Sequence, residues 1–400
     1  MNKKILVTGG PVGAKLDPIK IITNRFKGGR MAQLAAELSK EADVIFLCTK
    51  DTVHPSEYCS SVFNTTVVYH NGFHDYMKKV CEISQKVDAV ILGAAVANMI
   101  PVKLYTQSMG LPGIDKDTHQ ISAPVPLPLE DKFPSHNYKP GDSIFMEWTI
   151  APRIIDMVKD HMPKHGHLFG FKLLSGQPHE ELIRAAYEVL LESRATAVIA
   201  NDPSVGLDTK HIVTKERGVH TIDSADLAKW ILNVLEDEYY RTESVYSKIA
   251  DAKSFDMSFF KLDKILDKYR DRFIEVENGM KFGTAAWRVA DGGFVTTGRG
   301  KRELDERAYV SEVDHKNHVV YIDEFLKATL NAPLLDHIFN HHGNKVQGIV
   351  HLHEQIPGLP TYPWAPPGTV RDSLLRPCNS SFNIEGHGCF LLLDKEGNEI

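Results

Sequence analysis

Short apolar runs that end in glycine or another small residue recur along the first 200 residues, with helix-forming stretches between them. Lys4 to Thr8 (KILVT) runs into Gly9-Gly10. Met31 to Ser39 has helical composition and leads to Asp43 to Cys48 (DVIFLC). Asp88 to Leu92 runs into Gly93-Ala94-Ala95. His167 to Leu174, a helical stretch over Glu180 to Arg194, and Ala197 to Ala200 continue the series. Runs this apolar, without polar alternation, suit strands covered on both faces. Strands and helices taken in turn imply parallel βαβ units, whose ligands bind at the C-terminal ends of the strands.

The pattern then changes twice. Gly110 to Pro140 holds six of the chain's 21 prolines and reads as a long extended flap; loops of such length usually carry function. Between Glu236 and Lys264 the chain turns polar and charged. This reading gives a first domain over 1–245, a linker over 246–260 and a second domain over 261–400. The second opens with a charged amphipathic helix, Lys261 to Glu277. Short strands follow at Phe294 to Thr297, Val319 to Ile322, Val346 to His351 and Cys389 to Leu393.

At 400 residues the chain exceeds one core of usual size. Its net charge of −6 argues against a nucleic-acid partner held by a basic face. A small anionic ligand is compatible with that charge, because phosphate sites are built locally. The five cysteines, Cys48, Cys59, Cys81, Cys378 and Cys389, are irregularly spaced and read as buried thiols in a reducing compartment. No signal core follows MNKK and no apolar stretch reaches 18 residues. The expectation is a cytoplasmic protein without a membrane partner.

Thr8-Gly9-Gly10-Pro11-Val12-Gly13 is not a GxGxxG fingerprint. A glycine-rich strand exit lets backbone N–H groups approach an anion, and it serves equally as a tight turn. The longer string says more. Asp17-Pro18-Ile19-Lys20 precedes Thr23-Asn24-Arg25, then Gly28-Gly29-Arg30-Met31 and a helix. With LVTGGP, and with Gly93-Ala94-Ala95-Val96-Ala97, Phe169-Gly170-Phe171-Lys172 and Ala200-Asn201-Asp202, this resembles the phosphopantothenate–cysteine ligase family over residues 1 to 225. The resemblance implies a Rossmann-like domain that binds CTP with Mg²⁺, activates a carboxylate as an acyl-nucleotide and joins it to cysteine. It implies that Asn24 acts on the acyl-nucleotide. It puts the nucleotide at Gly9, Gly10, Ala94, Ala95, Asn98, Ala151, Arg153, Phe171 and Lys172. Four positions depart from the family pattern. Asn98 stands where the family has aspartate and Gln120 where it has a flap lysine, while Arg184 and Arg194 stand in for two helix lysines. Lys103, Lys116, Lys172 or Arg153 are the cations left to face a triphosphate.

In the second half, His351-Leu352-His353 continues the apolar strand Gly348-Ile349-Val350. Residues i and i+2 of a strand share a face, so both imidazoles can meet one ion. His387, in Glu385-Gly386-His387-Gly388, is the best third ligand. Three histidines with an open position suit a catalytic Zn²⁺ or another divalent metal. His341 and His342 read as solvated.

The same residues, with Phe282-Gly283-Thr284…Arg288, Thr296-Thr297-Gly298, Lys327-Ala328-Thr329-Leu330-Asn331 and Tyr362-Pro363-Trp364, resemble the class II aldolase/adducin family over 260 to 400. The resemblance implies an α/β domain with a mainly antiparallel sheet. It implies Zn²⁺ on His351, His353 and His387, polarising a ketone. It implies a substrate phosphate against Gly283, Thr284, Thr297, Gly298 and Thr329. Asn331 stands at the place of the family's catalytic glutamate, and an amide exchanges no proton near neutral pH. Glu354 is a possible base, although neighbours in a strand face opposite ways; Glu385 is another.

The expected fold class is therefore α/β, a Rossmann-like parallel-sheet domain followed by an aldolase-like domain. The expected function is a two-domain enzyme acting on a phosphorylated small molecule, with a zinc lyase site and a CTP-dependent ligase domain. The alternatives are a ligase whose second domain is not catalytic, or a binding and assembly protein. Both resemblances imply a homo-oligomer.

Overall fold

The computed structural model describes residues 3–59, 64–106, 113–114, 117, 121–122, 127, 129, 131–206, 208–215, 218–244, 252–276, 279–290, 292–322, 327–374 and 380–400. Lys116, Gln120, Cys378 and much of the proline-rich interval lie outside them. The chain forms two compact units, Met1–Lys210 with Asp223–Lys229, and His211–Ile222 with Trp230–Ile400. The fold class is mixed α/β, with a parallel sheet in the first unit and a mostly antiparallel one in the second.

The main sheet of the first unit includes β1 Lys4–Thr8, β2 Asp43–Cys48, β3 Thr65–Tyr69, β4 Ala89–Leu92, β5 His167–Leu173 and β6 Ala197–Asn201. They lie in the order β3-β2-β1-β4-β5-β6, and every neighbouring pair is parallel. Ile5, Leu6, Val7, Val90, Ile91, Val198 and Ile199 have no exposure at all, as a strand covered on both sides requires. The covering helices include α1 Gly29–Leu38, α2 Phe73–Ser84, α3 Ile154–His161 and α4 His179–Ser193. Helix α1 buries Met31, Leu34, Ala35 and Leu38, one stripe at helical spacing.

Strand order reverses between β1 and β4, which opens a crevice at their C-terminal ends. Two glycines let α1 start there. Gly10 (φ +78°) and Gly28 (φ +79°) face each other so closely that a Cβ on Gly28 would lie 2.5 Å from the Gly10 nitrogen. Separately, Met99–Thr106 and Ile144–Ile150 pair as an antiparallel ribbon with an irregularity between Glu147 and Trp148.

Among the described residues, nine strands of the second unit form one sheet. They are β7 Arg241–Ser244, β8 Thr284–Arg288, β9 Phe294–Thr297, β10 Arg307–Asp314, β11 Val319–Ile322, β12 Gly348–Leu352, β13 Thr361–Tyr362, β14 Phe382–Ile384 and β15 Gly388–Leu393. Their order is β7-β11-β10-β9-β8-β12-β15-β14-β13. Only the two edge pairs, β7/β11 and β13/β14, are parallel. The sheet is covered on both faces. Leu262, Ile265, Leu266 and Tyr269 of helix α5 (Ala252–Tyr269) pack with Ala285, Val350 and Leu391. Leu334, Leu335 and Ile338 of α6 (Ala332–His342) pack with Ala286, Ile349 and Phe390. Alternate residues of β12 and β15 thus serve opposite cores, the period-2 rule at work.

The opening helix of this unit begins at Ala252 and ends at Tyr269, earlier at both ends than the sequence suggests. Residues 274–276, expected in the helix, include the two-residue strand Ile274–Glu275, paired with Lys281–Phe282. Cys48 and Cys389 are buried thiols, whereas Cys59 and Cys81, expected to be buried, are only half-buried. Among the described residues no helix is long and apolar enough to cross a membrane.

Burial also sets how the first unit responds to acid. His70 is 6% exposed with neither ring nitrogen paired, and burial pushes its pKa down to about 4. Burial likewise holds His167 at about 4. Both groups take up protons in the unfolded chain near pH 6.5 but resist them when folded, so stability is full above pH 6.5 and falls as pH drops toward 4. Each imidazole contributes up to about 3 kcal/mol to that fall. Urea unfolding of the first unit followed at pH 7.5, 6 and 5 should show the midpoint decline only below pH 6.5. His70→Phe should flatten part of the slope; a wild-type midpoint that does not move with pH contradicts the account.

Candidate functional site

Strand β12 carries His351 on the same face as Ile349, and its partner in β15 is Phe390. The His351 ring stacks on Phe390 with centroids 4.3 Å apart. Its Nδ1–H donates to the Cys389 carbonyl at 3.0 Å, which leaves Nε2 with a lone pair and no partner in a fully buried setting. His353, two residues on, brings its ring centroid to 4.8 Å from that of His351. His387 comes from the turn between β14 and β15, and its ring lies 4.6 Å from His351 and 5.2 Å from His353. One ring nitrogen from each lies within 4.8 Å of the others. Nδ1 of His387 is buried and unpartnered too.

Two glycines shape the turn that delivers His387. Gly386 has φ +61° and Gly388 has φ +131°, conformations that L side chains rarely adopt. A Cβ on Gly388 would sit 2.0 Å from the Leu352 carbonyl oxygen. The close approach locks the turn onto the end of β12, where the other two histidines are.

Burial, reinforced by the neighbouring imidazoles, holds His351 and His387 well below the usual histidine pKa. Both are neutral at pH 7 with a free lone pair, the state that binds a divalent cation. A fixed tautomer, a carbonyl behind it and orphaned nitrogens in front are features of a donor set that could hold a divalent cation.

The other sequence-derived residues of this unit fall as follows. Thr284 is the register partner of His351 in β8. Its hydroxyl meets that of Thr329 at 3.0 Å, and Thr329 Oγ1 accepts from the Asn331 N–H at 3.3 Å. Thr297 Oγ1 accepts from Ala285 N–H at 3.3 Å, and Gly298 bridges to Ala328. Gly283 has φ +108° beside the His351 carbonyl. Asn331 is 5% exposed and its Oδ1 has no partner. Glu354 is drawn away to Arg272, Oε1 to Nε 2.6 Å, and is not among the clustered groups. Sequence reasoning missed His220 and left Trp364 without a role. The His220 ring lies against Gly386 and 4.6 Å from the ring of Trp364; Nε2 of the one and Nε1 of the other are buried without partners. No motif marks His220, because it reaches the site from more than 100 residues upstream.

In the first unit, the crevice beside β4 opens into a cavity of about 520 Å³. Ala94, Asn98, Ala151, Arg153, Phe171 and Lys172 line it. Gly9, Gly10 and Ala95 are not in its lining, yet they frame the strand exits: Ala95 N–H donates to the Gly10 carbonyl at 2.9 Å, and Gly9 N–H to Leu47. Asn24 reaches the same place, its Nδ2 donating to the Ala95 carbonyl at 3.0 Å. Thr8 at the end of β1 accepts from the Tyr76 hydroxyl and the Ala94 N–H. The helix lysine substitutes are not here. Arg184 is tied to Glu181 and Glu188, and Arg194 to Asp160. Helix α4 instead presents Glu188 and Glu192 to the cavity, and Glu192 pairs with Arg153. Four residues apart, they share one face of the helix with Ala185 and Val189, which line the cavity too.

Residues 1–110 match the family model of the DNA/pantothenate metabolism flavoprotein C-terminal domain. The glycine-rich turn, Asp17-Pro18, Asn24 and Gly93-Ala94-Ala95 all lie within that match. A stretch of 204 residues is 28% identical to the coenzyme A biosynthesis bifunctional protein CoaBC of Thermococcus kodakarensis, covering 50% of this chain and 41% of that protein. The chain thus spans less than half the length of that curated relative. Among solved structures, the DNA/pantothenate metabolism flavoprotein from Streptococcus pneumoniae is 22% identical with a TM-score of 0.48, over 57% of this chain and 96% of the other. YgbL from Klebsiella pneumoniae, a candidate aldolase/epimerase/decarboxylase, is 17% identical with a TM-score of 0.27, over 34% and 78%.

The Gly388 contact gives a direct test of the turn. Gly388→Ala forces a left-handed alanine against a backbone oxygen and should cost at least about 2 kcal/mol of stability. Gly397→Ala, at φ +87° with open space around it, should cost less. Equal losses in thermal unfolding contradict the close-approach argument.

Proposed function

We propose that the second unit is a metal-dependent lyase of aldolase type acting on a phosphorylated small molecule, and that the first is a nucleotide-using, ligase-type domain. The lyase reading is carried by one observation: two buried ring nitrogens, Nε2 of His351 and Nδ1 of His387, lack any partner in a cluster shared with His353. These three residues would hold the ion, which when bound polarises a carbonyl of the substrate.

The chain's own groups do the remaining work. The Cys389 carbonyl fixes the His351 tautomer and ring orientation. The Thr284 and Thr329 hydroxyls, bonded to each other, exchange that bond for bonds to substrate phosphate oxygens. Asn331 Oδ1 accepts from a hydroxyl of the substrate and positions it. It carries no proton away, so this site favours steps in which the proton passes between substrate and water. Phe390 and the buried sheet keep bulk solvent off one side of the cluster.

Purified protein stripped with chelator and titrated with Zn²⁺ should bind one equivalent per chain. His351→Ala/His353→Ala should weaken that binding by at least about 100-fold, since two of three ligands are lost. Retention of one tightly held equivalent in the double variant removes the lyase reading.

The ligase-type reading for the first unit is favoured by a different observation, the cavity at the strand-order reversal with Asn24 at its edge. The similarity to the CoaBC protein over half the chain supports the same reading. CTP is the nucleotide this reading names. Arg153 and Lys172 supply the cations at the cavity, against Glu188 and Glu192, so Mg²⁺ is needed to offset the triphosphate. At 100 times its dissociation constant, CTP with Mg²⁺ should stabilise the first unit by about 2.7 kcal/mol. Thermal scans that fail to move with CTP, ATP or UTP overturn this part.

A further inference from the structure

Lys301 is 3% exposed, although it follows a Gly-Arg-Gly turn that reads as surface loop. Its ammonium donates to the Gly283 carbonyl at 2.5 Å and lies 5.9 Å from the centre of the Phe273 ring. No carboxylate among the described residues forms an ion pair with it. The acid whose field it feels, Glu306, already accepts from the Arg302 and Glu303 N–H groups. Burial pushes the Lys301 pKa down to about 8, which leaves the group charged at neutral pH. A buried cation with a carbonyl and a ring face for company is costly unless an anion completes it.

Its position says where that anion belongs. Gly283 immediately precedes Thr284, the register partner of His351, and the Thr284 hydroxyl meets that of Thr329. The charge of Lys301 is felt at the His351 ring. Lys301 is thus bonded to the segment that carries Thr284 beside the three-imidazole cluster, and the clustered groups among the described residues include no acid.

We propose that Lys301 is the counter-ion for an anionic group of the ligand that occupies the three-histidine site, a specificity-determining residue that selects oxyanions over neutral analogues. The proposal rests on the metal-dependent reading of that site for its ligand, but not for its charge argument. The shared chemistry is an oxyanion, either a phosphate or a carboxylate.

Inorganic phosphate and acetate are titrated into the full chain by calorimetry, each with and without one equivalent of Zn²⁺, for wild type, Lys301→Met and Lys301→Arg. Wild type should bind at least one of the two anions, and Lys301→Met should bind it at least about tenfold more weakly, the worth of one charged hydrogen bond. Lys301→Arg, which keeps the charge, should stay within about threefold of wild type. The anion that shows the difference identifies the group. Zinc should still bind one equivalent in all three chains. A Lys301→Met chain that binds both anions as wild type does overturns the proposal, as does a wild type that binds neither with or without zinc. If Lys301→Met does not fold, Lys301→Arg decides alone: anion binding within threefold supports the assignment and its loss overturns it. If zinc does not bind yet the anion difference persists, the metal reading falls and the Lys301 assignment stands.

Discussion

The antiparallel ladder between β12 and β15 is the constraint on which the second unit depends. Its register puts Ile349 against Leu392, Val350 against Leu391 and His351 against Phe390. Alternate positions feed two separate cores, so a slip of one residue would exchange every side chain between them. The same ladder puts the Cys389 carbonyl within reach of the His351 ring, and its turn is closed by glycines that carry His387. Fold and site are therefore one arrangement: what stabilises the sheet also aims the imidazoles.

In the first unit the corresponding constraint is the reversal of strand order beside β1. A parallel sheet must send its helices to both faces, and the faces change over where the order reverses. Glycines at 9, 10 and 28 allow the backbone to close on itself there. The cavity beside it has nearly balanced charge, since Glu188 and Glu192 stand opposite Arg153 and Lys172. A polyanion entering it has to bring a counter-ion.

Much of this was legible in the sequence, for identifiable reasons. Apolar runs without alternation marked the buried parallel strands because burial on both faces removes every polar position. The HxH pair was legible because strand periodicity is fixed at two, and the single downstream histidine between glycines stood out against an apolar strand. Other features depend on distances that spacing does not encode. The acids of α4 were missed because their helix register relative to the cavity needs the packing of α4 on β5 and β6. Lys301 read as a solvated loop residue because Gly-Arg-Gly-Lys says nothing about the sheet beneath it. His220 joins its site from a segment whose own pattern continues the first half of the chain, and no local signal records that. The helix expected over 261–277 was displaced because charge periodicity does not fix where a helix begins.

The unpartnered nitrogens of His351 and His387 have a consequence for the lifetime of the molecule. Lone pairs crowded together in a dry interior repel, and an empty copy holds them there only by the stiffness of its ladder. Under the metal-binding reading proposed for this cluster, such a copy opens locally more often than one that holds the ion, and proteases cut what opens. The supply of ion in the surroundings would then govern turnover of the chain, with unfilled molecules culled first.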